Sequence, residues 1–311
     1  MSYTITIKQE ITNLNYTKSE TIAFLSGFVR NNGYVLDNTL ILTTENDFTI
    51  EVLTKFFKSL YEVKLEKEVK ENLNFSKKKL YALSLKDKLD FILKDLGVND
   101  EYNNPLETPK DYIVGANEEI RAYLRGVFLC CGSINDPKTS RYHMELLINN
   151  PMEAVFIQKL LNIFDLNAKI LTRDKGYMIY IKEAEKISDY IRILGANRAV
   201  LYFEDARIYR EKKNQTNRLN NCEQANMDKV FVTANMQLEQ IRIIEENNGL
   251  DLLDDKVKEV VEFRKKYPES SLKELSEIIS FETGKKITKS GLNHRFRKLK
   301  ELSDRLKKNN Y

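Results

Sequence analysis

The sequence predicts an α+β fold: a duplicated αββαββα domain over residues 1–205, a linker at 206–226, and an all-α helix-turn-helix domain at 227–311. Three observations carry that prediction. Two apolar stretches marked by glycine, Leu25-Ser26-Gly27-Phe28-Val29-Arg30-Asn31-Asn32-Gly33 and Leu124-Arg125-Gly126-Val127-Phe128-Leu129-Cys130-Cys131-Gly132, stand ninety-nine residues apart. Leu96-Gly97 and Leu194-Gly195 lie ninety-eight apart, so one register runs through both copies and implies an internal duplication. The repeats span about 18–98 and 118–196, and beyond residue 226 the pattern is helical and ends in a basic segment.

Within the first copy, Tyr3 to Glu10 alternates and suits either a short strand or the lead-in to a helix. From Lys18 the pattern is helical as far as Gly33. A glycine inside a helix costs roughly 1 kcal/mol against alanine, so Gly27 and its counterpart Gly126 imply two backbones in close approach. The closing glycines, Gly33 and Gly132, suit a left-handed helix end. Tyr34 to Thr43 reads as a hairpin around Asp37-Asn38. Phe48, Val52, Phe56 and Leu60 mark an amphipathic helix. Two strands around Asn72-Leu73-Asn74 follow, then a helix from Lys86 that stops at Gly97.

Asn99 to Gly115 joins the copies, and the second repeats the order. Its first helix reaches Gly132, a turn at Asp136-Pro137 precedes the strand His143 to Asn149, and a helix runs from Met152 to Phe164. A hairpin turning at Asp174-Lys175-Gly176 comes next, then a helix that stops at Gly195. Further on, Phe231, Ala234, Leu238 and Ile241 set the phase of a helix from Asp228 to Glu246. Three short helices complete the chain: Asp255 to Tyr267, one opened by the capping box Ser271-Leu272-Lys273-Glu274, and one starting at Thr288 or Lys289. Leu292, Phe296, Leu299, Leu302 and Leu306 form the apolar stripe of the last.

Composition narrows the function. Hydrophobic content of 42% and charged content of 31% are ordinary for a globular protein. The N-terminal stretch lacks a signal-peptide core and no run suits a membrane span, which predicts a cytoplasmic protein with no membrane partner. Three cysteines and two histidines favour neither a disulfide framework nor a metal site, so no metal or other cofactor is expected. The adjacent Cys130 and Cys131 read as small buried hydrophobes. The net charge of +4 is unevenly distributed. Lys285 to Lys308 holds ten Lys/Arg against Glu301 and Asp304, which leaves the rest of the chain at −4. A basic terminal unit on a mildly acidic body points to nucleic acid.

A short helix, a glycine turn and a longer basic helix make the helix-turn-helix pattern. At about 100° per residue, Ser290, His294, Arg297 and Lys298 lie opposite the apolar stripe, with Asn293 on the flank and Arg295 nearer the stripe's edge. Arginine reads guanine and asparagine adenine, while lysine and serine more often hold phosphate. The expected DNA-binding residues are therefore Lys285, Lys286, Lys289, Ser290, Asn293, His294, Arg295, Arg297 and Lys298.

The glycine-marked pair resembles the signature helices of the LAGLIDADG homing endonucleases. In that family each helix ends in an acid that binds the catalytic metal, just before the final glycine. Here Asn32 and Cys131 hold those places, which predicts a degenerate LAGLIDADG-like domain that is not an enzyme. Asp37 and Asp136, again ninety-nine apart, are read as turn residues rather than substitutes. The run Ile287-Thr288-Lys289-Ser290-Gly291-Leu292-Asn293-His294-Arg295-Phe296-Arg297-Lys298-Leu299 is similar to the helix-turn-helix signature of the WhiA family of bacterial regulators. Asn217-Arg218-Leu219-Asn220-Asn221-Cys222-Glu223-Gln224-Ala225-Asn226 and Ser271 to Leu275 match that family too. The resemblance implies a non-catalytic, transcription factor-like regulator of cell division and chromosome segregation or of sporulation. Its partners would be double-stranded DNA and another regulatory protein, and it would be associated with the nucleoid. The alternatives are an interaction module that binds DNA nonspecifically and, far less favoured, an active endonuclease.

Overall fold

Residues 2–70, 79–139 and 141–309 are described by a computed structural model. The chain divides into two units, 1–211 and 212–311. The alternating N-terminal stretch is helix α1 (Tyr3–Thr12), capped by the Ser2 side chain. Tyr3, Ile7 and Ile11 face the core from it, so the four-residue spacing of the larger apolar side chains outweighs the local alternation.

The first copy then runs α2 (Lys18–Asn32), β1 (Tyr34–Leu36), β2 (Thr39–Thr44), α3 (Asp47–Tyr61), β3 (Glu66–Lys70), β4 (Leu80–Leu85) and α4 (Leu89–Asp95). The second runs α5 (Asn117–Cys131), β5 (Gly132–Ile134), β6 (Met144–Ile148), α6 (Pro151–Ile163), β7 (Lys169–Arg173), β8 (Gly176–Ile181) and α7 (Ala184–Ile193). The sheets are antiparallel, in the orders β1-β2-β4-β3 and β5-β6-β8-β7. The same order in each is the duplication written in hydrogen bonds. Asp37 and Asn38 both take positive φ, 47° and 53°, as the tight hairpin requires. The turn expected at Asn72-Leu73-Asn74 lies outside the described residues.

Helices α2 and α5 pack side by side, and the glycines show why. A Cβ on Gly126 would run into the Phe24 carbonyl, and one on Gly27 into the Tyr123 carbonyl. The closing glycines differ from expectation. Gly33 and Gly132 have φ of −76° and −88°, extended rather than left-handed. Their role is also space: a Cβ at Gly33 would stand 2.7 Å from the Val29 oxygen, and one at Gly132 would enter the Phe128 ring. The left-handed positions are instead Gly97 and Gly195, φ 60° and 79°, which end α4 and α7. One hydrophobic core runs through both copies, from Ile7 and Phe24 to Phe128, Tyr190 and Phe203.

Helix α8 (Asn197–Glu246) is continuous, so the 206–226 segment read as a linker is helical throughout. Neither glycine nor proline occurs in it to break the helix. Of the residues expected to set its phase, Ala234 and Ile241 are buried, whereas Phe231 is exposed. The second unit continues through α9 (Asp255–Lys266), α10 (Leu272–Thr283) and α11 (Lys289–Asn309) around its own core of Ile241, Ile244, Val257, Val260, Leu275, Ile279, Leu292, Phe296 and Leu299. The apolar stripe of α11 is that core's lid: Leu292 and Leu299 are fully buried.

Candidate nucleic-acid interface

Local chemistry sets each joint of the helix-turn-helix. Ser271 caps α10 by accepting from the Glu274 N–H at 3.2 Å, and the Glu274 carboxylate accepts from the Ser271 N–H at 2.8 Å. Those bonds hold the Glu274 carboxyl below its ordinary range. Gly284, at φ 70°, ends α10. Ser280 Oγ then accepts from the Ile287 N–H at 3.0 Å and fixes the turn, while Thr288 caps α11 by accepting from the Gly291 N–H at 3.1 Å.

With the stripe of α11 committed to the core, its opposite face is fixed. Ser290, Asn293, His294 and Arg297 are exposed there, together with Lys285, Lys286 and Lys289 at the turn and helix entry. Among the described residues none of these side chains is shown in a hydrogen bond or ion pair. Two of the predicted residues differ. Arg295 is half-buried and donates through Nη1 to the Lys256 carbonyl at 3.1 Å and to Glu259 at 3.4 Å. Lys298 is exposed but pairs with Asp254 at 3.1 Å, and this contact, with the Val257 N–H, holds the Asp254 carboxyl down. Both tie α11 to the start of α9 or to α9 itself. For Arg295 its place near the edge of the stripe was the sequence signal for that role; Lys298, placed opposite the stripe, gave none.

Sequence reasoning missed Arg264. It is 1% exposed, and its Nη1 donates to the carbonyls of Tyr267, Pro268 and Ser270, the last at 2.7 Å. Val257, Val260, Val261 and Arg264 share the helical spacing of a buried face. A cation at the end of that row was the available signal.

In the first unit, the ends of α2 and α5 hold no carboxylate at the two ancestral positions. Asn32 Oδ1 accepts from the Thr43 N–H at 2.8 Å and so locks the helix end onto β2. Cys131 Sγ sits 3.3 Å from Cys130 Sγ, both thiols free and packed against the core. Hard divalent cations require oxygen ligands, and a neutral amide already bonded to backbone beside a soft thiol does not supply them. These residues do not fit the metal of the homing endonucleases. Among the described residues no group of three His, Cys, Asp or Glu is placed to hold a metal ion. Asp37 and Asp136 take turn roles, the latter accepting from the Lys138 N–H at 2.8 Å.

The polar chemistry at this helix pair is internal. Glu153 of α6, 2% exposed, accepts from Arg30 Nε at 2.9 Å and from the Tyr123 hydroxyl. Arg30 also donates to the carbonyls of Gly97, Leu106 and Glu107. One guanidinium thereby fastens the first copy, the connection between copies and the second copy together.

A duplicated LAGLIDADG-like domain without its metal-binding acids, joined to a C-terminal helix-turn-helix, is the class of protein that fold and site define. Family models match residues 18–99 as a WhiA N-terminal LAGLIDADG-like domain, 120–213 as a WhiA LAGLIDADG-like domain and 216–303 as a WhiA C-terminal HTH domain. The chain belongs to the WhiA family. A relative from Exiguobacterium sibiricum, named "Probable cell division protein WhiA", is 38% identical over 312 residues, 99% of this chain and 97% of its own. One of the same name from Bacillus cereus is 39% identical over 319 residues, 99% of this chain and 98% of its own. The crystal structure of full-length WhiA from Thermotoga maritima, 21% identical, superposes with a TM-score of 0.57 and covers 98% of each chain, which is a likeness of fold. Among the described residues no helix is long and apolar enough to cross a membrane.

Proposed function

We propose that this chain is a non-catalytic, sequence-reading DNA-binding regulator of the bacterial cell cycle, serving cell division and chromosome segregation or sporulation at the nucleoid. The observation that carries the reading is the outward row Ser290, Asn293, His294 and Arg297 on α11, exposed and shown with no side-chain partner among the described residues, and entered through Lys285, Lys286 and Lys289. Arg297 and Asn293 have the donor and acceptor geometry for base edges, and the lysines suit phosphates. Arg295 and Lys298 act by fixing α11 on α9, which aims the row. The relatives' printed names tie the family to cell division.

Purified full-length protein offered a pool of random duplexes should enrich a preferred sequence. Arg297→Ala should relax the preference at one base pair and weaken the selected site by about 1–3 kcal/mol. Equal binding to all duplexes across a salt series, unchanged by Arg297→Ala, would sink the reading. It would favour the second one, an interaction module that touches DNA nonspecifically. Leu147 and Leu171, each 48% exposed on the second sheet, support a protein contact in that domain.

A further inference from the structure

In the second unit a cleft of about 260 Å³ has Lys229, Arg264, Ser270, Ser271, Lys273 and Lys289 among its lining residues. Four of its lining residues are cationic, and among the described residues no carboxylate lines it. Among the described residues Lys229, Lys273 and Lys289 are shown in no ion pair. Ser271 to Lys273 is the N-terminus of the twelve-residue α10, whose first N–H groups lack helical acceptors and carry the positive end of the helix dipole.

A second observation is independent of the helix end. The Arg264 guanidinium is almost fully buried, yet among the described residues no carboxylate pairs with it; its Nη1 meets three carbonyls, its Cζ lies 5.4 Å from the centroid of the Phe296 ring, and its Nε has no hydrogen-bond partner among those residues. Burial alone pushes its pKa below the ordinary range. An unpaired buried cation is costly, and the usual compensation is an anion with hydrogen-bonding oxygens. Carbonyls satisfy part of the guanidinium's hydrogen bonding but none of its charge.

We propose that this cleft is an oxyanion site that takes a phosphate group, bound by Arg264, the lysines, the Ser270 and Ser271 hydroxyls and the first turn of α10. The same chemistry serves a backbone phosphate of duplex DNA and a phosphate carried by a small molecule. Only the first source rests on the function proposed above. Guanidinium and helix N-termini are both suited to tetrahedral oxyanions.

The test uses the full chain with nitrogen-labelled arginine and backbone, titrated with inorganic phosphate against chloride at constant ionic strength. The expected result is saturable shifts of the Arg264 Nε–H and the Leu272 and Lys273 amides. The exposed double variant Lys229→Ala/Lys273→Ala should lose those shifts while keeping the spectrum of a folded chain. Duplex DNA that displaces phosphate, with the double variant's salt slope lower by about one, would assign the site to the DNA backbone. Phosphate that stays bound in the presence of bound duplex would assign it to a small-molecule phosphate. A chain that binds no duplex would end the DNA reading and leave the phosphate titration to decide the cleft. The proposal is overturned if neither phosphate nor duplex moves the Arg264 Nε–H, because water would then satisfy it.

Discussion

At the ends of α2 and α5, Arg30, Asn31, Asn32 and Glu153 are bonded to protein atoms and largely withdrawn from solvent. On α11, Ser290, Asn293, His294 and Arg297 are exposed, and among the described residues their side chains are shown bonded to none. Both regions are helical and rich in polar side chains, so composition does not separate them. What separates them is whether folding has already satisfied the polar groups. A satisfied network fixes shape and offers a ligand nothing, whereas an unsatisfied exposed row costs little in water and keeps its hydrogen bonds for a partner.

Removing a carboxylate gives the largest contrast. Glu153→Ala would strand the Arg30 guanidinium, whose ion pair is 5% and 3% exposed on its two side chains. The expected loss is about 3–5 kcal/mol in denaturant unfolding of the first unit. Asp254→Ala removes the exposed partner of Lys298 and the cap of α9, and should cost the second unit much less, nearly all of it from the cap. Hydrogen exchange of α2 and α9 amides separates the units. Equal effects would break the comparison, and partial recovery in Arg30→Met/Glu153→Leu would sharpen it.

Helix glycines should respond with opposite signs. Gly126→Ala drives a methyl into the Phe24 carbonyl and should cost about 3 kcal/mol or more. At Gly291 the nearest atoms to an added Cβ are 3.5 Å and 3.7 Å away, ordinary contacts. Gly291→Ala should therefore raise the stability of the second unit, by up to about 1 kcal/mol. A destabilised Gly291→Ala protein would mean that α11 starts under a constraint its contacts do not reveal.

The glycine pair also shows what could be read in advance. A costly residue repeated at one offset predicts close backbones without coordinates, and at Gly27 and Gly126 an added Cβ would run into a carbonyl of the opposite helix. Gly33 and Gly132 misled because glycine has two uses, positive φ and small size, and sequence does not say which applies. On α11 the wheel separated the buried stripe from the exposed row. It left Arg295 at a boundary, since its partner Glu259 is thirty-six residues away. Glu153 and Arg264 were illegible for a related reason. A buried charge is explained by partners brought from elsewhere in the chain, as Glu153 is by Arg30 over 123 residues.

The smallest expected effect lies at low pH. Asp254 and Glu274 both have carboxyls held below their ordinary values, Asp254 chiefly by Lys298 and Glu274 chiefly by the Ser271 N–H. A carboxyl depressed in the folded state stabilises it above the unfolded pKa, about 3.9 for Asp and 4.3 for Glu. That contribution is lost as pH falls through the lower folded values. The α9 and α10 starts should therefore loosen below about pH 4, seen as faster exchange at Val257 and Glu274. Asp254→Asn and Glu274→Gln should flatten the acid limb at their own helices only. A first unit that opens before α9 and α10 would reverse the contrast between satisfied interior and exposed surface.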